Sequence, residues 1–579
     1  MRERIDKNGG VKVPLDWSSL ARAINTFRAS DVESIAVCLL WAHVNPVHEQ
    51  QIKEHLAEEL PGVPVMLSSE VLPEIGEWVR TSSTVLSAYV FPRTNTYLRE
   101  LESWLATNGL RTSLQIMQLN GGCAAVDHVL RAPVSIVHSG PAAAPAASRW
   151  IVEQIGLEDA MTIDMGGTSF EAGIIRRGEI PLSRDEMIAH QPIGLPAVEI
   201  ASIGAGGGSI AWVDNGGALR VGPQSAGSMP GPAAYARGGR FPTVTDANIV
   251  LGYLSPETFL GGRRPLRPDL ALKAIEEHVA GPLGISDPHE AAAGILRVVN
   301  DNMVNAIRAV TVERGIDPRG FVMVTGGGGG ALHGARMADA LEIASIVVPF
   351  QSGLLSAFGM TVSDVRHDYS ATLYAQTSDM PWDELNAIYR KLEADAEEDL
   401  RLAGFRADSS EIARTVDARY AGQVHELIVP VPAGVLDQTS LEDMRRFFDD
   451  AHRERFSYDL PEAPIEFLHW RATGIGVRPR PASANARVES ARDDAGSEVP
   501  HGVRRAYFEE AGGFVEVPAL NALILEDGAV VAGPALLDSP TTTVLVPPGY
   551  RATAEPGGFR LVRSDAVEHP ESIEIREAN

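Results

Sequence analysis

Cysteine is almost absent: the 579-residue chain has two, Cys38 and Cys123. That excludes a disulfide framework and a cysteine-built zinc site. Both thiols sit in apolar or glycine-rich sequence, which predicts buried structural side chains. Positive charge is also scarce. Lys and Arg total 50 against 76 Asp and Glu, a formal net charge of −26. General binding to nucleic acid or to an anionic membrane is excluded, although a local basic pocket for phosphate is not. No apolar run reaches the ~18 residues of a membrane span, and no signal-peptide core opens the chain. A soluble, cytoplasmic protein is the expectation. Repeats of short period are lacking. What remains is a normal globular mixture, 44% hydrophobic and 22% charged, long enough for roughly three to four domains.

The rest of the chain is organised around MTIDMGGTSFEAGIIRRGEI, Met161 to Ile180. Met161 and Ile163 flank Thr162 as the end of a buried strand, and Asp164 follows. Gly166, Gly167, Thr168 and Ser169 form a turn into a second strand, Phe170 to Ile175. Arg177-Gly178 predicts a hairpin into a third strand around Ile180. Two glycines let backbone N–H groups close around an anion, because no Cβ blocks the approach. The Thr and Ser hydroxyls can add hydrogen bonds, and the carboxylate at the strand end can hold Mg²⁺. The pattern fits a phosphate clamp; it also fits an ordinary glycine hairpin.

Strands alternate with helices elsewhere, which gives an α/β class. Strands are expected at Ile35 to Leu40, Val63 to Ser68 and Leu114 to Met117, and helices at Gln50 to Leu60 and Ala142 to Ile155. A second glycine run, Ile203 to Val213, has the backbone freedom of a ligand loop. The Gly, Pro and Ser-rich stretch Leu219 to Leu254 reads as a long functional loop. Asp287 to Glu290 starts a helix whose apolar positions Ala292, Leu296, Val299, Met303, Ala306 and Val310 recur at spacings of three and four. The strand Phe321 to Val324 leads through Thr325 and Gly326 to Gly330 into a helix starting near Ala331. Strand, glycine turn and helix N-terminus make an anion site. QSGLLSAFGM after the strand Ile346 to Val348 reads as a loop, Asp379 to Leu402 as an acidic amphipathic helix, and Ala413 to Val431 as two strands around Gly422. The expected divisions are 1–135, 136–370, 371–478, a linker at 479–500, and a small β-rich domain at 501–579.

Eight ordered motifs carry a resemblance: DMGGTSFEAGII, SGPAAA, GAGGGSIAWVD, RVGPQSAGSMPGPAAYARGG, PTVTDANIVLG, VERGIDPRGF, GGGGGALHGARMAD and RYAGQVHEL. Together they resemble the A-type subunit of the hydantoinase/oxoprolinase family, which includes ATP-dependent cyclic amidases and ketone carboxylase β subunits. The resemblance implies an actin-like, RNase H-like ATPase fold with a C-terminal β-rich domain, and ATP with Mg²⁺ as cofactors. On it, Asp164, Gly166, Gly167, Thr168 and Ser169 form the second phosphate loop. Asp164 serves catalysis and the metal. Gly206 and Gly207, with Gly326, Gly327 and Gly328, are nucleotide-binding positions, and His333 is a catalytic candidate. Phe170 and Glu171 stand where Thr and Asp are usual, and Gly329 and Ala331 where Ala and Pro are usual.

Family members begin with a strand and an Asp-x-Gly-Gly-Thr loop. The residues from Arg2 onward resemble the segment just C-terminal to that sub-domain, so the resemblance implies an N-terminally truncated fold lacking about one small domain. The activity it implies is opening of a cyclic amide of the hydantoin or 5-oxoproline type through a phosphorylated intermediate, beside a B-type partner subunit. Ketone carboxylation and a non-catalytic scaffold role are the alternatives. Among other side chains, Asp246 reads as a helix N-cap, His48, Glu49, His43 and His138 as packing groups rather than substrate or metal contacts, and His425 as a strand residue.

Overall fold

The computed structural model describes residues 1–481 and 502–565. The expected linker at 479–500 falls almost wholly outside the described residues. The chain forms two compact units, each assembled from three separate stretches. One gathers Met1–Ser139, Leu182–Ala197 and Ser363–Pro479, and the other Gly140–Pro181, Val198–Val362 and Arg480–Asn579. The linear divisions expected from sequence therefore regroup, because strands distant in sequence pair in one sheet.

The second unit starts with helix α1 (Ser139–Gln154) and strands β1 (Ala160–Met165), β2 (Phe170–Ile175) and β3 (Ile200–Ile203). The third strand is thus Ile200–Ile203, not the residues around Ile180. Arg177 and Gly178 do make a tight turn with positive φ, closed by the bridge of Arg176 to Glu179, and the two-residue strand after it, Leu182–Ser183, pairs with Ala197–Val198 outside this sheet. The predicted long loop carries a strand at its start and a helix near its end. Strands β4 (Ser209–Val213) and β5 (Leu219–Ser225) form a hairpin, and helix α2 (Val244–Val250) follows. Then come α3 (Pro288–Val310), β6 (Val322–Gly326), α4 (Gly327–Leu341), β7 (Ser345–Pro349) and α5 (Leu355–Val362). The segment read as a loop after β7 is therefore mostly helical.

The C-terminal stretch supplies β8 (Gly502–Phe508), β9 (Gly513–Asn521), β10 (Val530–Ala532), β11 (Ala535–Asp538), β12 (Thr543–Val546), β13 (Tyr550–Glu555) and β14 (Gly558–Arg563). It is not a separate domain. Strand β14 pairs antiparallel with β7, which completes an eight-stranded sheet in the order β3-β2-β1-β6-β7-β14-β13-β10. β1 and β2 are antiparallel, as are β2 and β3, whereas β1, β6 and β7 run parallel.

Both faces of β1 are buried, as expected for a central strand covered by helices on each side. Met161, Ile163 and Met165 join the main core with α3 and α4, and Ala160 joins a second cluster with Trp150 of α1 and Leu355 of α5. All six apolar positions predicted along α3 are buried. Each large aliphatic side chain among them contributes roughly 1.5–3 kcal/mol on burial.

The first unit holds a six-stranded sheet in the order Leu427–Pro430, Ser410–Tyr420, Ile465–Gly476, Val365–Gln376, Cys123–Ala125 and Gln115–Met117. The helices Trp382–Leu402 and Gln438–Phe456 share its core around Trp470 and Phe448. A parallel pair, Ile35–Val37 with Val65–Leu67, packs with the helices Trp17–Arg28 and Val47–Glu59. Glu77–Thr107 is one continuous helix of 31 residues.

Candidate functional site

Strands β1 and β6 end side by side, with Gly326 in register opposite Asp164. Helix α4 begins at once, at Gly327, rather than near Ala331. The glycine run is therefore a strand end plus the first helical turn. Gly327 has φ 76°, and a Cβ there would lie 2.2 Å from the Met165 carbonyl oxygen and 2.6 Å from Asp164 Oδ1. Only glycine fits so close an approach in that conformation. No side chain among the described residues caps the helix. Its first amides are left with the partial positive charge that attracts anions.

The two remaining glycine loops dock on each other. Gly207 N–H donates to Gly166 O at 2.9 Å, and Gly208 N–H donates to Gly167 O at 2.7 Å. Gly206 N–H donates to Ser209 Oγ. A Cβ on Gly206 would lie 2.5 Å from the Thr168 nitrogen. The amides of Gly207 and Gly208 are thus occupied in bracing the first loop, and that of Gly206 in a bond within its own loop. The donors left over are elsewhere: the Gly167 and Thr168 amides are exposed and donate to no group among the described residues.

These loops frame a cavity of about 210 Å³, walled by Gly166, Gly167, Gly207, Gly328, Gly329 and His333. Five of the positions predicted from sequence therefore meet at one cavity: Gly166, Gly167, Gly207, Gly328 and His333. Thr168, Ser169 and Gly206 belong to the same pair of loops without lining it, and Gly326 and Gly327 lie behind it at Asp164. Tyr235, Leu254, Phe259 and Leu332 give the cavity an apolar side. Thr245, Asn248 and the segment Asp538 to Thr543 also line it, and sequence reasoning missed them.

The signal for Thr245 and Asn248 was present in PTVTDANIVLG, but it pointed to the wrong residue. Asp246 is not the N-cap. Thr243 is, and Asp246 stands at N3 of a reciprocal capping box. Its fully buried carboxylate also accepts from the Ala233 and Ala234 amides. The neighbouring Thr245 and Asn248 line the cavity instead. Asn248 Oδ1 is buried without a partner among the described residues.

His333 is 1% exposed, and burial lowers its pKa to about 4, so the ring is neutral. Its Nδ1 lies 2.7 Å from Asn300 Oδ1, and its Nε2 faces the Asn248 amide nitrogen at 3.4 Å. Those neighbours assign the proton to Nδ1 and make Nε2 the acceptor. Both nitrogens are engaged, which suits a cavity wall better than a proton donor.

Asp164 does not line this cavity. It occupies a narrow crevice with Pro145, Thr162 and Glu171. Ser356 Oγ donates to its Oδ2 at 2.9 Å. Glu171 is its cross-strand neighbour. Burial raises the pKa of both carboxyl groups; the Ser356 hydroxyl partly offsets this at Asp164, and the Ser169 hydroxyl does so at Glu171. The Asp164 charge raises Glu171 further, and no Lys or Arg contributes to either shift. Two partly buried carboxylates without a cationic partner among the described residues are the oxygen donor set that a hard divalent cation takes.

The other singled-out groups lie elsewhere. Glu49 accepts from Leu39, Ser68 and Ser69, and His48 contacts Glu3. His43 contacts Arg80, and His138 contacts Glu186. His425 is exposed in the loop between two strands, not in a strand. Cys123 is buried as expected, whereas Cys38 is only half-buried.

Fold and site define an α/β protein with a glycine-lined, anion-accepting cavity at the ends of two parallel strands. Comparison with known proteins narrows this: the chain belongs to the hydantoinase/oxoprolinase family. The Hydantoinase/oxoprolinase family pattern matches residues 80–369, with its C-terminal domain at 375–563 and its N-terminal region at 1–60. The caprolactamase subunit alpha of Pseudomonas jessenii is 36% identical over 96% of this chain and 79% of its own length. The acetophenone carboxylase gamma subunit of Aromatoleum aromaticum is 31% identical over 97% of this chain and 78% of its own. The crystal structure of the ATP-dependent caprolactamase from P. jessenii superposes with a TM-score of 0.84 at 35% identity, covering 97% of this chain and 81% of that one.

Proposed function

We propose that this chain is the ATP-using subunit of an enzyme that opens a cyclic amide through a phosphorylated intermediate. The observation that carries the reading is the meeting of three glycine segments at one cavity, with the Gly167 amide and the first amides of α4 unspent. Terminal phosphate oxygens suit those donors. The apolar side at Tyr235, Phe259 and Leu332 suits a base. Asp164 and Glu171 would hold Mg²⁺, which neutralises charge on the transferred phosphoryl group. Transfer onto the amide oxygen, with the spent nucleotide departing, draws electrons from the carbon; water adds there, the ring C–N bond breaks as nitrogen takes a proton, and a second water releases phosphate from the acyl phosphate that remains. The chain's own part is positional: backbone donors orient the phosphates, and neutral His333 and buried Asn248 shape the wall.

We also read the run β3-β2-β1-β6-β7 as half of an actin-like, RNase H-like ATPase fold. Its five strands, numbered in chain order, lie as 3-2-1-4-5, with the first three antiparallel and the last two parallel to the first. A cytoplasmic setting, where ATP is supplied, goes with this reading. Among the described residues no helix is long and apolar enough to cross a membrane. A second subunit of the B type completes the proposed enzyme. Two relatives are themselves named as subunits. Trp78, Val85, Tyr89, Tyr97 and Trp104 are also exposed along one helix, an apolar row suited to a protein partner.

The carboxylase relative favours a second substrate class, ketones that undergo carboxylation. Calorimetric titration with Mg-ATP tests the first step, and failure of the full chain to bind it removes the proposal. Release of phosphate on adding lactams, hydantoins or 5-oxoproline supports the amidase. Release that needs a ketone and bicarbonate supports the carboxylase instead.

A further inference from the structure

A cluster in the first unit has no role in that reading. His367 stands on the strand Val365–Gln376 and is 1% exposed. Neither of its ring nitrogens has a hydrogen-bond partner among the described residues. A neutral imidazole always carries one N–H and one lone pair, so both a donor and an acceptor are buried unmet, which folding normally avoids. The ring stacks on His128, with centroids 4.1 Å apart and planes at 20°. Asp399, from the helix Trp382–Leu402, closes the group. Its Oδ2 is 3.3 Å from His128 Nδ1 and accepts from Arg131 Nη1 at 2.9 Å, and the Tyr369 hydroxyl donates to the same oxygen. One ligand atom from each of His128, His367 and Asp399 lies within 4.8 Å of the others. His128, Arg131 and Tyr369 also line a cavity of about 220 Å³, which gives the cluster a path to solvent.

We propose that His128, His367 and Asp399 hold a divalent transition metal, Zn²⁺ in preference to Mg²⁺. Two imidazoles and one carboxylate are the three-ligand set of zinc sites that keep a fourth position open for water. Imidazole nitrogen selects Zn²⁺ or Co²⁺ over Mg²⁺, which takes oxygen. Tyr369 and Arg131 hold the carboxylate in place through hydrogen bonds to its Oδ2. The Arg131 side chain is 56% exposed, so its positive charge is screened and does not bar a cation. The structure offers a contrast. Glu74, Asp417 and His469 also lie close enough together to share an ion, but Arg471 pairs with both carboxylates and Arg184 with Glu74. That cluster is already neutralised, whereas at the first the buried imidazole is unmet.

The test uses the full chain after chelator treatment, with Co²⁺ as the probe. The expected result is one Co²⁺ bound per chain, with visible d–d absorption that Zn²⁺ abolishes. His367→Leu and Asp399→Asn should each weaken Co²⁺ binding at least tenfold, with folding checked by circular dichroism. If one of them fails to fold, the other and His128→Gln decide. Asp164→Asn should keep the absorption, which separates this site from any cation held by Asp164 and Glu171. The proposal is overturned if the folded wild-type chain shows no such absorption. It is equally overturned if the absorption survives in the folded His367 and Asp399 variants.

Discussion

Glycines that look alike in sequence differ once their surroundings are known. Gly167 has open space where a Cβ would stand, and its backbone needs no positive φ. Gly167→Val should leave stability within about 0.5 kcal/mol of wild type. It should lower Mg-ATP affinity tenfold or more, about 1.4 kcal/mol, because the new side chain stands in the cavity. Gly206→Ala should do the reverse. Its methyl group would meet the Thr168 nitrogen at 2.5 Å, so the loops must separate, at a cost of about 1–3 kcal/mol in chemical denaturation. If both variants affected binding alone, loop docking would not be what selects Gly206. Asp164 gives a third prediction. Burial raises its pKa, so its charged form opposes folding at neutral pH. Asp164→Asn should raise the melting temperature without Mg²⁺, abolish stabilisation by Mg-ATP, and lower turnover on the order of a hundredfold. At this scale the sequence showed which residue types could clamp a phosphate. It did not show that Gly207 and Gly208 spend their amides on a neighbouring loop, because that arises from tertiary contact.

Periodicity decided which elements were legible. Helix α3 and the β1-β2 pair were readable, since their apolar positions repeat at 3.6 and 2 residues. Helix α4 was placed four residues late, because glycine is a poor helix former and its first turn is all glycine; tertiary packing overrides that propensity. The helix α5 was missed because QSGLLSAFGM opens with turn residues. Across elements, an ion network was invisible in sequence. Arg471 on the strand Ile465–Gly476 pairs with Asp417 on Ser410–Tyr420 and with Glu74, which also meets Arg184. All but Arg184 are nearly fully buried. Burial raises the Glu74 pKa, but Arg184 and Arg471 outweigh it and hold the carboxyl well below the usual range. A depressed carboxylate stabilises the fold above its unfolded pKa, near 4.5, and that contribution is lost as pH falls toward the folded value. Wild type should therefore lose stability steeply below about pH 4.5. Glu74→Gln should be less stable at neutral pH by about 3–5 kcal/mol, with a flatter acid limb in denaturation curves. An unchanged acid limb would assign the pH dependence to other carboxylates.

For the whole molecule, sequence order misleads about folding units. A stretch rich in short strands at the C-terminus reads naturally as a small independent domain, because strand patterns do not reveal partners. Here β14 pairs with β7, and β13 and β10 extend the same sheet. Phe559 and Leu561 lie in the same core as Met161 and Met323. The segment Asp538 to Thr543 walls the cavity, and Thr542 Oγ1 donates to Gly328 O at 3.3 Å. The strand ends that carry the glycine loops are thus held from one side by residues more than two hundred positions away. A chain ending at Pro481 should fail to bind Mg-ATP, since it loses both that wall and the partner of β7. Failure to fold would give the same result, so a point change is the sharper probe. Asp538 is 4% exposed, accepts from Thr543 Oγ1, and pairs with Arg504 of β8. Arg504→Ala leaves that carboxylate buried beside the cavity without its cation, so the segment should shift and Mg-ATP affinity should fall several-fold while circular dichroism stays that of wild type. A folded Arg504→Ala chain with unchanged affinity would mean that the C-terminal strands close the sheet without shaping the nucleotide site.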